Sequence, residues 1–224
     1  MKWLHISDIH FNYKGYDTKK VKAMLLAKLK ELDLTMDFIL ITGDCFYQYK
    51  GTNKEVEELV KYLKDIASLC HCDRKNIYIC GGNHDMNRGD IYRNKIIDEI
   101  RENKKDFSVS YNELCELGSE KFQGLHKTVT RRSYKSYDII DRRDQKFRII
   151  SINSCLLSKD DDDYQKLKVC NDKLEEIGRK IKNDEKLNVL IMHHGIDCLD
   201  VTDARKFEHW VEDCKCQPLF YIVR

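Results

Sequence analysis

The sequence has little of what separates domains or anchors a chain in a membrane. It contains one proline, Pro218, among 224 residues, and no stretch rich in proline, glycine and serine. Because linkers between domains usually carry such residues, we expect a single domain over residues 1–224. No apolar run approaches the roughly 18 residues needed to cross a bilayer, so we expect no membrane partner.

The N-terminal segment also lacks the apolar core of a signal peptide. Its apolar residues are interrupted by His5 and Asp8. This interruption argues against export, and a cytoplasmic location is the expected one.

The net charge of the chain says little about its binding partners. Forty basic and 38 acidic residues leave a net charge of +2. That balance is too small to predict binding to nucleic acid or to an anionic membrane. The pairs Arg131-Arg132 and Arg142-Arg143 form at most a small basic patch, which supports phosphate binding only weakly.

The ten cysteines predict reduced thiols rather than a disulfide framework, because no export signal accompanies them. Several lie in apolar runs, where a thiol behaves as a small buried hydrophobe. Cys70-His71-Cys72 and Cys214-Lys215-Cys216 have C-x-C spacing, which differs from the usual C-x2-C of zinc sites. Ordinary buried thiols are favoured over zinc.

Apolar runs of strand length alternate with helical patterns, which predicts an α/β fold with a largely parallel sheet. The runs are apolar on both faces, as in strands covered on both sides. The predicted strands span residues 3–6, 38–41, 77–80, 147–152, 189–192 and 219–223. The predicted helices span residues 21–32, 56–66, 91–100, 111–125, 164–181 and 204–214.

Two segments are less regular. Residues 104–146 are interpreted as an insertion over the sheet with one more strand at residues 137–140. The four aspartates at 160–163 predict a solvated loop or a helix N-terminus rather than a calcium site, because the twelve-residue calcium-loop pattern is absent.

Polar side chains follow four of the predicted strands at the point where each strand ends. Because ligands bind beyond the carboxyl ends of strands in open α/β sheets, these side chains should share one edge. Carboxylate, amide and imidazole groups suit Mn, Fe or Zn. Asp8 and His10 are expected to point to the same face as alternate residues of a strand, and Gly43 to permit close approach. The residues are Asp8, His10, Asp44, Asn83, His84, Asp85 and His193.

The order D-x-H, G-D, G-N-H-D and H-H resembles the calcineurin-like metallophosphoesterase superfamily over nearly the whole chain. The resemblance implies two packed mixed β-sheets flanked by helices, a four-layer sandwich. It also implies two divalent metal ions, with manganese preferred and Fe, Zn or Mg as alternatives.

The resemblance assigns a role to each site residue. Asp8 and His10 would bind the first ion, and Asn83 and His193 the second. Asp44 would bridge both ions. His84 would be the catalytic acid, steadied by Asp85. Two such ions clamp the attacking and leaving oxygens, and a metal-bound hydroxide would be the nucleophile.

The sequence departs from the family pattern in two places. Gly81 stands where members often have proline. The family's G-H-x-H motif, which gives one histidine to each metal, is absent, so we expect a phosphoesterase domain that lacks its C-terminal end. His209, Cys214, Cys216 and His194 are the residues considered as replacements, and His194 is better placed in a supporting role. Fewer ligands predict weaker metal binding and impaired activity.

Three functions remain open on these grounds. The first is a metal-dependent phosphoesterase acting on phosphomonoesters or phosphodiesters. The second is an impaired domain that serves only as a metal- or phosphate-binding module. The third is a nuclease of the family's DNA-repair branch, for which the small net charge offers little support. Residues 104–146 and 156–170 are the expected substrate-facing loops.

Overall fold

The computed structural model describes residues 2–48, 52–141, 146–181, 186–214 and 216–220. Within these ranges the chain alternates strands and helices, as the sequence predicts. The strands are β1 (Trp3–Ile6), β2 (Phe38–Thr42), β3 (Ile77–Cys80), β4 (Tyr137–Asp141), β5 (Phe147–Ile152), β6 (Leu187–Ile191) and β7 (Cys216–Phe220). The α-helices are α1 (Tyr16–Leu32), α2 (Asn53–Leu69), α3 (Ile91–Arg101), α4 (Phe107–Thr130), α5 (Asn171–Ile181) and α6 (Val201–Asp213).

The strands form two sheets. The first has the order β1-β2-β3, and its strands are parallel. The second has the order β4-β5-β6-β7, in which β4 runs antiparallel to β5 and the other pairs are parallel. Parallel neighbours need crossover connections, and α1, α2, α5 and α6 lie between the parallel strands in the chain.

The two sheets pack face to face. Phe38 of β2 contacts Phe147 of β5 with ring centroids 5.1 Å apart, and this pair belongs to a buried hydrophobic cluster between the sheets. The outer face of the first sheet packs on α1, α2 and the C-terminal half of α4. The outer face of the second packs on α5 and α6. The predicted four-layer α/β sandwich is therefore confirmed.

Helix α2 shows why these segments fold as they do. Thr52 and Glu55 form a reciprocal capping box at its N-terminus. The apolar residues Leu59, Leu63 and Ile66 recur at helical spacing and are buried against the first sheet. Burial of each such side chain contributes about 1.5–3 kcal/mol.

Most helices begin or end a few residues from their predicted bounds, and two segments differ more. The segment at 104–146 is more regular than expected, because residues Phe107–Thr130 form one 24-residue helix with a non-helical residue at Ser119. The helix predicted from residue 164 starts at Asn171 instead. The preceding residues run extended, and Leu167 forms a parallel bridge with Leu199.

The aspartate run is also less solvated than predicted. Asp163 is 7% exposed and pairs with Arg101, and it accepts a hydrogen bond from the backbone N–H of Lys159. Burial of this carboxylate follows from its ion pair, which the run of identical residues did not reveal.

Other predictions fall as follows. Cys70 and Cys72 are buried in the core under α2, as ordinary thiols would be. The final described strand covers residues Cys216–Phe220, which overlaps the predicted strand at residues 219–220. Residues 221–224, which hold the rest of that predicted strand, and the pair Arg142-Arg143 lie outside the described ranges. No described helix has both the length and the apolar character required to traverse a bilayer.

Candidate metal centre

The loops that follow β1, β2, β3 and β6 meet at one edge of the two sheets, as the sequence predicts. Side chains from these loops form two groups able to hold a metal ion, each with ligand atoms within 4.8 Å of one another. One group is His10, Asp44 and His84, and the other is Asp8, Asp44 and His193. These groups combine carboxylate oxygen with imidazole nitrogen, which suits Mn, Fe or Zn.

Asp44 belongs to both groups. Its side chain is fully buried, and Oδ1 accepts a hydrogen bond from the backbone N–H of His84 at 2.9 Å. Oδ2 lies 3.7 Å from His10 Nε2, whereas Oδ1 lies 3.5 Å from His193 Nε2. The two oxygens of one carboxylate thus face the two ligand groups separately.

Asp8 and His10 reach the site by a different route from the expected one. Strand β1 ends at Ile6, so these residues do not alternate along a strand. Both have left-handed backbone conformations, with φ of 52° and 43°. The backbone N–H of His10 donates to the Asp44 carbonyl at 2.9 Å, which fixes the turn against the loop after β2.

His193 and Asn83 provide the test of whether these residues fit a cation. His193 Nδ1 lies 2.8 Å from the Thr42 carbonyl oxygen, which can only accept, so a neutral His193 ring carries its proton on Nδ1. Nε2 is then an acceptor. It faces Asn83 Oδ1 at 3.0 Å and Asp44 Oδ1 at 3.5 Å. Three facing lone pairs repel, and a divalent cation among them would remove that repulsion, so the residues fit a metal.

Two glycines allow the loops to approach so closely. Gly43 has φ of +89°, and a Cβ on it would lie 2.5 Å from His193 Nδ1. A Cβ on Gly82 would lie 2.1 Å from Asp44 Oδ1. The absence of a side chain on Gly43 therefore lets its backbone approach His193 and Gly82.

His84 lies at the rim of the site. Its Nδ1 is 2.5 Å from the Tyr47 carbonyl oxygen, and its ring stacks on the Tyr47 ring with centroids 5.5 Å apart. Because Nδ1 must donate to that carbonyl, Nε2 is the nitrogen that remains to face the ligand group with His10 and Asp44. Burial lowers the pKa of His84, while the negative charge of Asp44 opposes that shift.

Asp85 is fully buried behind the site. Its carboxylate accepts hydrogen bonds from the backbone N–H groups of Gly82, Cys45 and Phe46. Burial, followed by the neighbouring Asp44 charge, raises the pKa of Asp85 to about 7. These contacts join two ligand loops through the backbone, so any effect on His84 is transmitted through the turn.

Two cavities flank the ligand groups. The first, about 410 Å³, is lined by His84, Tyr47 and Arg88 among others. The second, about 210 Å³, is lined by Asn83, His193 and Asp8 among others.

Sequence reasoning missed Arg88, because its three-residue separation from Asp85 is no signal in itself. The His194 side chain belongs to neither ligand group, and its Nδ1 lies 3.2 Å from Ser154 Oγ.

The other residues considered as replacements for G-H-x-H lie elsewhere. The His209 side chain is 76% exposed on α6 and pairs with Asp213. Cys214 ends the same helix, and Cys216 begins β7. Neither His209 nor Cys214 joins either ligand group in the part of the chain that the structure describes, and the side chain of Cys216 lies outside that part.

The family model for calcineurin-like phosphoesterases matches residues 1–220. The chain belongs to this family. It is 28% identical over 227 residues to an uncharacterized metallophosphoesterase-like protein, YydB, of Bacillus subtilis, an alignment that covers 95% of the chain and 46% of that protein. It is 25% identical over 105 residues to the DNA double-strand break repair protein Mre11 of Archaeoglobus fulgidus, which covers 45% of the chain and 23% of that protein. The chain thus spans less than half the length of either relative.

Proposed function

We propose that this protein is a metal-dependent phosphoesterase that hydrolyses phosphomonoesters or phosphodiesters with two divalent ions, manganese being preferred. The observation that carries the proposal is the position of Asp44, a buried carboxylate shared by two ligand groups. Family membership supports a hydrolase acting on phosphate esters. We further propose that residues 1–224 form one phosphoesterase domain.

The proposed ligand sets divide differently from the two groups of the structure. Asp8 groups with Asp44 and His193, but its Oδ1 also lies 3.8 Å from His10 Nε2, and we assign it to the ion of His10. His84, which groups with His10 and Asp44, is assigned to the substrate instead. Asp8, His10 and Asp44 would hold one ion, and Asp44, Asn83 and His193 the other. When bound, the two ions polarise the phosphoryl oxygens and lower the pKa of a coordinated water. The protein's own contribution is to fix these donors on four loops that glycines and the Asp85 carboxylate bring together.

His84 would act on the phosphoryl group or the leaving oxygen. Its Nδ1 contact with the Tyr47 carbonyl and its stacking on Tyr47 hold the ring in one orientation. Nε2 is therefore the atom that donates a hydrogen bond or a proton when the ring is protonated. Asp85 supports this arrangement through the backbone of the turn that carries His84.

The test is Mn2+-dependent hydrolysis of p-nitrophenyl phosphate and bis(p-nitrophenyl) phosphate by the 224-residue chain. Asp44→Asn should abolish turnover and metal binding, because it removes the one carboxylate shared by both groups. The matched control is Asp33→Asn, an exposed residue in a left-handed conformation that asparagine tolerates.

The outcomes separate the candidate functions. Turnover that requires Mn2+, survives in Asp33→Asn and is lost in Asp44→Asn supports the enzyme. Metal binding by calorimetry without turnover in the wild type would instead indicate a binding module. Identical behaviour of all three proteins would refute the proposal.

Nuclease activity is the second candidate, and the similarity to a DNA double-strand break repair protein favours it. Phosphodiester hydrolysis in DNA would use the same ligands. The acidic residues around the second cavity oppose a polyanion, however. Cleavage of single-stranded DNA that weakens with rising salt would be its sign, and cleavage of the p-nitrophenyl esters alone would exclude it.

A further inference from the structure

An ion pair lies between the two cavities that flank the candidate metal centre. Arg88, in the loop after β3, donates from Nη1 to Asp161 Oδ1 at 2.9 Å, and Asp161 belongs to the loop after β5. Arg88 lines the same cavity as His84, and Asp161 lines both cavities. The guanidinium therefore shares a cavity with His84, next to the ligand groups.

The charges around the site make Arg88 unusual. Among the described residues that line the two cavities, Arg88 is the one lysine or arginine, whereas five are aspartates. Asp163, one of those five, is neutralised by Arg101. A phosphate ester entering this acidic surround needs a cationic partner besides the metals, and a guanidinium matches two phosphate oxygens at once.

The present partner of Arg88 is easily exchanged. The Asp161 side chain is 92% exposed and that of Arg88 22% exposed, and ion pairs in contact with solvent contribute little to stability. The backbone of Arg88 is fixed, because its N–H donates to the Met86 carbonyl and its carbonyl accepts from Asn94 Nδ2. A rigid backbone under a weakly held guanidinium allows the side chain to turn toward a stronger acceptor.

We propose that Arg88 is a substrate-binding residue that exchanges the Asp161 carboxylate for the phosphate group of the ester. The inference rests on the proposed phosphoesterase function and names a residue that determines its affinity for phosphate. Asp161 competes with substrate for the guanidinium, so the two residues have opposite effects.

The test compares Arg88→Gln, Arg88→Lys and Asp161→Asn in the Mn2+-loaded protein. We measure KM for p-nitrophenyl phosphate and the inhibition constant of inorganic phosphate. Arg88→Gln should raise both by about 10- to 100-fold, the effect of losing a charge-assisted hydrogen bond. For Arg88→Lys, KM and the inhibition constant should lie between those of the wild type and those of Arg88→Gln. Lysine keeps the positive charge but lacks the planar guanidinium group. Asp161→Asn should lower both severalfold, because it releases Arg88.

The control is Lys159→Gln. Lys159 lies in the same loop as Asp161, and its side chain pairs with Asp98 of α3 at 2.7 Å. Because Lys159 lines neither cavity, KM and the inhibition constant should not change. Circular dichroism of each variant checks that the fold is intact.

The opposite shifts expected for Arg88→Gln and Asp161→Asn distinguish substrate binding from loop stabilisation. If the ion pair only stabilised the loop, Arg88→Gln and Asp161→Asn would weaken phosphate binding alike, and that result would overturn the inference. An unchanged inhibition constant in Arg88→Gln would do the same. Failure of the proposed function is separate, since it shows as no Mn2+-dependent turnover in the wild type. Calorimetric titration of the Mn2+-loaded proteins with inorganic phosphate then judges Arg88, and equal affinity or no binding overturns its role.

Discussion

The carboxylate of Asp85 accepts a hydrogen bond from the backbone N–H of Phe46 at 2.9 Å, which joins the loop after β3 to the loop after β2. The same carboxylate accepts from Gly82 at 2.9 Å and Cys45 at 3.2 Å. Asp44 comes directly before Cys45 in the first of these loops, and Asn83 comes directly after Gly82 in the other. The separation of these two proposed ligands therefore depends on a residue that binds no metal itself.

Replacement of Asp85 by asparagine should loosen this link. The new amide would place an N–H group against backbone donors, so we expect the free energy of unfolding to fall by about 2 kcal/mol. Mn2+ affinity should fall about 10- to 100-fold, as when other residues that orient metal ligands are lost. Urea denaturation and calorimetric titration measure the two effects.

Asp106→Asn is the matched control. Asp106 caps the N-terminus of α4 by accepting from Ser108, and asparagine caps helices as well as aspartate does. Stability and Mn2+ affinity should both stay at the wild-type values. Equal effects of the two substitutions would contradict the role assigned to Asp85.

Two glycine-to-alanine substitutions should have contrasting effects, one on Mn2+ binding and the other on stability. Gly82→Ala would place a Cβ 2.1 Å from Asp44 Oδ1, so the ligand loops must separate and Mn2+ binding should be lost. Gly124→Ala meets nothing within 4 Å on the exposed side of α4 and should raise the free energy of unfolding by up to about 1 kcal/mol. Calorimetric Mn2+ titration and urea denaturation check both, and retention of tight Mn2+ binding by Gly82→Ala would refute the close approach.

Arg93 connects α3 to the loop that carries Asp161. Its guanidinium is fully buried and donates to the carbonyl oxygens of Ser158 and Leu156 at 2.8 and 2.9 Å. Burial lowers the pKa of Arg93 to about 10, which still leaves it charged at neutral pH. Arg93→Met would leave these buried carbonyls without their donor.

We expect Arg93→Met to reduce the free energy of unfolding by about 3 kcal/mol, the cost of leaving buried partners of a charged group unsatisfied. Arg179→Met, on the exposed face of α5, should change it by less than about 0.5 kcal/mol. Urea denaturation of both variants gives the comparison. Similar stabilities would mean that the loop does not depend on Arg93.

The position of Asp44 could be predicted from sequence for a specific physical reason. A strand buried on both faces, such as Phe38–Thr42, has a nearly continuous apolar sequence. The first charged residue after such a run, here Asp44, is therefore easily recognised. Parallel strands present such ends at one edge. These two facts indicate which loops carry the candidate metal centre, whereas the role of each residue came from the resemblance to the family.

The supporting contacts could not be predicted in this way. Arg93 lies in a charged helical pattern that resembles a solvent-exposed face, and its acceptors come from a loop 62–65 residues later. Arg88 and Asp161 are 73 residues apart. The left-handed turns at Asp8 and His10 leave no periodic signal, because they depend on pairing with the loop after β2. Long-range hydrogen bonds set these features, and local patterns do not encode them.

His126 should make stability depend on pH in a defined window. The ring is 4% exposed in α4, and its Nδ1 lies 3.1 Å from the Arg132 carbonyl oxygen. Burial lowers the pKa of His126 to about 4, against 6.5 for the unperturbed ring. As pH falls from 6.5 toward 4 the unfolded chain binds a proton that the folded chain does not, so stability falls by up to about 3 kcal/mol.

His126→Gln should remove this component. The amide can still donate to the Arg132 carbonyl but does not titrate, so the free energy of unfolding of the variant should decline less than that of the wild type between pH 6.5 and 4. Urea denaturation at several pH values gives the difference between the two curves. A wild-type curve parallel to that of His126→Gln would show that the buried ring takes up its proton as readily as the unfolded chain does.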